Sequence, residues 1–458
     1  MLTKEENDAL CRVGPGTLMG DLVRQYWLPF YLSDDLEADG APERVRLCGE
    51  DLIVFRATSG QVGLVGNHCP HRGASLFFGR NEEDGLRCVY HGWKFDLAGN
   101  CVDMPNEPPE SNFKHKIHHT AYPCRERNGM IWAYMGPRAD PPELPMFEWN
   151  AVPRDYVHYS IRIADENFVQ ACEGEIDTTH IGFLHQGLGN SEPDPLFRDK
   201  VLHPNRTYEK GWSWGEIGRQ FKAPRWESVD TDYGVLIGSK RDLGDGTSYW
   251  RIYPFSMPFY SHIPAGGPDP NWSGHAWVPM DDEHTICLAW TNNATHPLSE
   301  KEVEQMKRPS NGLEGHHASV DIFHPKSNKP YGQYWPRWDN DNDFNYDYKA
   351  GQLGLRFSGL PGLWTQDSGM QQSMGAIYDR TKEHLGSADT AQIRIRRRLL
   401  GAARQLQERG TPPPGIDKPE AFYMRPISVI LPNDIPSWVD AVAEMAKAGG
   451  PAHPAGWR

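Results

Sequence analysis

The chain of 458 residues is long enough for two or three domains and for a large buried core. Its formal net charge of −14 argues against nucleic acid or an anionic membrane surface as partner, and no run of eighteen apolar residues offers a membrane span. The opening Met1-Leu2-Thr3-Lys4-Glu5-Glu6 lacks a signal-peptide core, and the eight cysteines show no disulfide-framework spacing, so a cytoplasmic, reduced protein is expected.

In chain order, residues 1 to about 30 read as a short helical lead-in ending at Tyr26-Trp27-Leu28-Pro29-Phe30. Strand signals follow at Val45 and Leu47 and, beyond a Gly49-Glu50-Asp51 turn, at Leu52–Phe55. Met130–Tyr134 forms a further strand directly after an Asn128-Gly129 hairpin turn. Prolines at 137, 141, 142 and 145 mark a connector that closes an all-β module over residues 1–145. A second domain, 146–458, opens with the alternating strand Val157, Tyr159, Ile161, Ile163 and a helix from about Asn167 to Leu184. Antiparallel β signals come next, at Tyr249–Tyr253 and in a hairpin, His275–Val278 and Thr285–Trp290, around an Asp281-Asp282 turn. A helix near Glu300–Met306 precedes a polar stretch, 308 to 350, of a length that serves a site or an interface. Helices are expected at about 366–385, at 388–409 closed by Gly410, and at 437–447; no internal repeat is present.

The chemistry gathers between Cys69 and His91. Cys69 and His71 stand one residue apart, Cys88 and His91 two apart, with sixteen residues between the pairs. Two thiolates and two imidazoles are a zinc set as well, but structural zinc usually takes a Cys pair followed by a His pair. One Cys and one His in each half, set in turns with Gly73 and Gly92, matches the Rieske [2Fe–2S] ligand set.

Cys69-Pro70-His71-Arg72-Gly73-Ala74 with Cys88-Val89-Tyr90-His91-Gly92-Trp93 resembles the Rieske oxygenases, in particular the phthalate 4,5-dioxygenase-like oxygenase (alpha) subunits. The respiratory Rieske proteins carry an extra disulfide where this chain has Ala74 and Tyr90. The resemblance implies an α+β chain: an N-terminal all-β Rieske domain, then a catalytic domain with an antiparallel sheet flanked by helices, of the helix-grip (START-like) kind.

A second metal site is expected after the connector, in Asp177-Thr178-Thr179-His180-Ile181-Gly182-Phe183-Leu184-His185. On spacing alone, two histidines five apart are more often ordinary residues, and they face one ion only if the helix ends or bulges. The stretch, with Asn167, Gln170 and Glu173 before it, resembles the mononuclear iron motif of the same family. That implies His180 and His185 as Fe(II) ligands and Asp177 as a bridge from His180 to the neighbouring subunit's cluster ligand His91. O2-activating iron of this kind takes two histidines and a carboxylate. Asp367, in a segment resembling the family's late helix, is the candidate, ahead of Asp379, which reads as a salt-bridged helix residue beside Arg380, and Asp389.

Arg241, Arg251 and Arg206 are candidates for holding a substrate carboxylate, since a guanidinium fork pairs with both oxygens. The six arginines of 388–409 read as a solvated helix face, and His115, His118, His119, His316 and His317 as plain loop residues. The resemblance implies a homotrimer or stacked trimers and a separate NADH-dependent flavin/iron–sulfur reductase. It also implies cis-dihydroxylation of an aromatic carboxylate with O2, with O-demethylation or ether cleavage as alternative. A Rieske electron carrier needs about a hundred residues, far fewer than this chain has.

Overall fold

The computed structural model describes residues 2–185, 217, 221–264, 271–308, 315–320, 322–353 and 357–449. The chain starts with α1 (Lys4–Cys11), opened by a Thr3/Glu6 capping box, and α2 (Leu18–Val23). The expected helical lead-in stops there. Trp27–Leu32 is a strand, β1, because it finds a partner about a hundred residues on, at Met130–Tyr134. The antiparallel trio β2 (Glu43–Leu47), β3 (Glu50–Arg56) and β4 (Val62–Gly66) is followed by β5 (Arg80–Glu82), β6 (Gly85–Arg87), β7 (Lys94–Asp96) and β8 (Cys101–Asp103) in a second small sheet. The hairpin β9 (Cys124–Arg127) and β10 (Met130–Tyr134) turns at Asn128-Gly129, both at positive φ as the tight turn requires.

Next come β11 (Val157–Ala164) and α3 (Phe168–Ile176). An eight-stranded antiparallel sheet contains β11, β12 (Arg225–Asp230), β13 (Gly234–Asp242), β14 (Thr247–Ser256), β15 (Tyr260–Ile263), β16 (Trp272–Pro279), β17 (Thr285–Asn292) and, late in the chain, β18 (Ile427–Pro432). Its order is β11-β17-β16-β15-β14-β13-β12, with β18 paired to β14. Outside the sheet lie α4 (Glu300–Lys307), α5 (Leu363–Gln372), α6 (Thr390–Arg409) and α7 (Trp438–Val442). The helix expected at 366–385 is therefore shorter and begins earlier, at Leu363, directly after Gly362, whose φ of +76° suits glycine. The last helix is likewise shorter than 437–447. Gly410, left-handed at φ +63°, ends α6 as expected.

The face of α6 is not simply solvated. Arg396 is buried, its Nε and Nη1 on Glu173 and Glu383, and Glu173 also takes Arg380 at 2.9 Å. Arg394 reaches Asp230 and Arg404 reaches Glu6, while Arg397 stays exposed. Asp379 lies outside any helix and pairs with Lys382, not Arg380.

The Asp281-Asp282 turn between β16 and β17 ties the N-terminal part to the large sheet. Arg46 of β2 reaches Asp281 at 3.0 Å, Arg12 reaches Asp282 at 2.9 Å, and Gly49 N donates to Met280 O at 2.7 Å. Part of the polar stretch serves the same joint: Tyr331 packs on Tyr31, ring centroids 6.1 Å apart, and its N–H donates to Arg44 O. No helix among the described residues is long and apolar enough to cross a membrane.

Candidate metal centres and active-site cavity

The two Cys/His pairs sit on loops with matching backbone bonds. Cys69 N donates to Ala74 O and Cys88 N to Trp93 O, both at 2.8 Å; Gly73 N returns to Cys69 O and Gly92 N to Cys88 O, both at 2.9 Å. Gly73 and Gly92 close the loops at φ +76° and +83°, and a Cβ on Gly92 would sit 2.5 Å from Pro105 Cγ. The thiols are buried while His71 and His91 are half-exposed, their rings 4.5 Å apart, with His71 stacked on Trp93 at 4.4 Å. All eight cysteines are free. Burial pushes the Cys69 thiol up to about 11. Two buried thiols and two half-exposed imidazoles are a donor set that suits a cluster held by two cysteines and two histidines.

The second site forms where α3 ends. The helix stops at Ile176 and not at Leu184, so termination, without a bulge, turns His180 and His185 towards each other. The turn is pinned from several sides. Tyr253 O–H donates to Ile176 O, Arg241 Nη2 to Thr178 O at 2.9 Å, and Thr179 N and Oγ1 to Asp177 Oδ1, each at 2.6 Å. His180 Nε2 and His185 Nε2 lie 3.1 Å apart, and Asp367 Oδ1 of α5 stands 3.6 and 3.3 Å from them. Among the described residues these three form the one group of His, Cys, Asp or Glu whose donor atoms converge within 4.8 Å. Two imidazole nitrogens and a carboxylate aimed at one point fit a facial Fe(II) site.

The remaining ring nitrogens have unlike partners. Asp177 Oδ2 is 3.5 Å from His180 Nδ1, whereas His185 Nδ1 lies 2.7 Å from Gln366 Oε1, and Gln366 Nε2 donates to Leu360 O. Gln366 therefore presents its oxygen, which keeps the proton on His185 Nδ1 and the Nε2 lone pair free to bind metal. Burial pushes the Asp177 carboxyl up, but the bond with His180 and its charge outweigh this and hold it below the usual range. Burial also raises Asp367, and His185 and His180 bring it below its usual range. Deeper still, burial, reinforced by the charge of Asp367, drives the Glu166 carboxyl well above the usual range.

A cavity of about 520 Å³ opens onto these three side chains. Arg251 lines it; Arg241 does not, its guanidinium being spent on Thr178, Ser239 and Phe221. Arg206 lies outside the described residues. Sequence reasoning passed over Arg162, Glu175, His275 and Gln366. Three of the five expected loop histidines lie in loops but are not plain solvent-facing residues. His316 lines the cavity, and His317 is buried between Ser160 Oγ and Thr291 Oγ1, at 2.9 and 2.8 Å. His119 is buried too, on Gly66 O, whereas His115 and His118 are exposed.

Residues 26–121 match the model of the Rieske [2Fe-2S] domain and residues 133–425 that of the LigXa C-terminal domain like family. The 3-chlorobenzoate-3,4-dioxygenase oxygenase subunit of Comamonas testosteroni is 38% identical over 92% of this chain and 94% of its own length. The chain belongs to the Rieske oxygenases. The phthalate 4,5-dioxygenase oxygenase subunit of Pseudomonas putida is also 38% identical, over 89% of this chain and 87% of its own. The 5,5'-dehydrodivanillate O-demethylase oxygenase subunit of a Sphingobium strain is 29% identical over 99% and 92%. In fold, the terminal oxygenase of carbazole 1,9a-dioxygenase from Novosphingobium sp. KA1 superposes with a TM-score of 0.53 at 19% identity, covering 89% of this chain and 97% of that one. As a Rieske oxygenase the chain is an oxidoreductase with a [2Fe–2S] domain, in a family whose members carry a mononuclear iron site.

Proposed function

We propose that this terminal oxygenase inserts oxygen from O2 into an aromatic carboxylate as a cis-diol, drawing NADH-derived electrons from a separate flavin/iron–sulfur reductase. The reading rests on one observation above all: the convergent His180, His185 and Asp367 stand in the wall of a cavity that also holds arginine. Cys69, His71, Cys88 and His91 would hold the cluster, and His180, His185 and Asp367 the iron. When bound, the cluster supplies single electrons and the ferrous ion supplies dioxygen activation.

The rest falls to the chain. Asp177 holds the Nδ1 proton of His180 and fixes its ring. Gln366 does the same for His185. The apolar and aromatic parts of the wall, Trp277, Trp364 and Ile181, exclude water around the ring, and the cationic side chains draw the acid group.

The reading includes a cytoplasmic enzyme divided at residues 145/146, and a homotrimer or stacked trimers in which His91 of one subunit meets Asp177 of the next. Its support is the exposed apolar surface at both ends of that link. Val89 and Tyr90 beside His91 are 58% and 57% exposed, and Phe183 and Phe357 beside the second site 45% and 58%. O-demethylation or ether cleavage is the second reading, favoured by the 29% identity to a demethylase subunit. Assay of 3-chlorobenzoate, phthalate, phenoxybenzoate and a methoxybenzoate with NADH and a reductase separates the two. A cis-diol from the first pair supports dihydroxylation; a phenol and formaldehyde from the methoxy compound alone supports demethylation.

A further inference from the structure

Arg162, like Arg251 a cationic residue of the cavity lining, is a feature that neither metal centre accounts for. Its side chain is 2% exposed, yet among the described residues no carboxylate lies within salt-bridge distance of it. Nη2 donates to His316 O at 3.0 Å, while Nε and Nη1 have no nitrogen or oxygen partner among the described residues. The guanidinium carbon stands 3.5 Å from the centre of the Trp364 ring, a cation–π contact that supports the charge without neutralising it. A buried cation lacking a counter-ion is costly, and removing charged partners from water is repaid only by a well-placed opposite charge.

Arg162, Trp364, Trp277, His275 and His316 form a closed round of contacts in the cavity wall. Trp364 stacks on Trp277 at 6.0 Å and 13°, Trp277 meets His275 at 5.1 Å, and His275 Nε2 lies 3.2 Å from His316 O. Glu175, one of the acidic side chains of the cavity lining, is faced by His275 Nδ1 at 3.2 Å. Trp364 and Asp367 stand three apart on α5, one turn of one helix face. An acid group held at Arg162 therefore leaves its ring against the indoles and within reach of the triad.

We propose that Arg162 receives the carboxylate of the substrate, so that the ligand anion completes a charge pair the protein leaves open. This rests on the aromatic-carboxylate reading above and names its acid-binding residue. Arg162 acts in binding and orientation; no bond is made or broken there.

The test is calorimetric titration of the metal-replete enzyme, without O2 or reductase, with 3-chlorobenzoate and with its uncharged methyl ester. Wild type is expected to bind the acid more tightly than the ester. In Arg162→Gln the acid loses about 10- to 100-fold in affinity, the range for hydrogen bonds to a charged group, while the ester stays within about threefold. Arg162→Lys keeps the charge but not the fork and falls between, which serves if the glutamine variant does not fold. An unchanged acid-to-ester ratio in either variant, whether both affinities hold or fall together, overturns the role of Arg162 alone. A wild-type protein that binds neither ligand overturns the aromatic-carboxylate reading and the proposal with it.

Discussion

His185 Nδ1 lies 2.7 Å from the side-chain oxygen of Gln366, the residue immediately before the carboxylate that faces His185 Nε2 at 3.3 Å. Adjacent positions of one helix thus hold both edges of one imidazole. Gln366→Leu should lower Fe(II) affinity about 10- to 100-fold, measured as loss of the non-sulfide iron to a chelator. Gln366→Glu keeps the acceptor for His185 but loses the donor to Leu360 O, and should retain the iron. Equal loss in both variants would assign Gln366 a role in packing α5 instead.

Asp177 should matter for turnover and not for loading. Asp177→Asn is expected to keep both metals while substrate-dependent O2 uptake falls by about 10- to 100-fold. Full metal content with wild-type turnover would remove the aspartate from the electron route.

The joint at the Asp281-Asp282 turn should respond to pH. His284 Nδ1 lies 2.8 Å from Asp281 Oδ1, and this bond, with the aspartate's charge, raises the imidazole above its usual range. A raised histidine stabilises the fold fully below its unfolded value of about 6.5, and the contribution is lost as pH rises through the higher folded value. Melting temperature should therefore fall across that window in wild type and less steeply in His284→Gln. Parallel profiles would contradict the assignment.

Glu173 is enclosed by Arg380 and Arg396, and Arg396 also pairs with Glu383. Glu173→Gln leaves two buried guanidinium groups short of charge and should cost about 3 kcal/mol in denaturant unfolding. A cost below about 1 kcal/mol would place the cluster among pairs that contribute little.

Much of this was legible because local chemistry and tertiary structure agree. The Cys69/His71 and Cys88/His91 pairs sit in glycine turns that their sequence announces, and Asn128-Gly129 and Asp281-Asp282 turn the expected hairpins. What stayed hidden depends on distant partners. Trp27–Leu32 is a strand only because β10 pairs with it. The end of α3 at Ile176 is set by Tyr253 and Arg241, from strands that lie far along the chain. Arg162 occupies the alternate row of β11 with His158 and Ser160, which reads as solvent-facing until both faces of the sheet are seen to be covered. Gln366 had no signal beyond its place next to Asp367.

Iron and acid-labile sulfide should be counted in the purified wild type and in His180→Ala. The account predicts about three irons and two sulfides per wild-type chain, and about two of each in the variant with the Rieske electron-spin signal unchanged. Two irons in the wild type, or an iron count that His180→Ala does not alter, would contradict it.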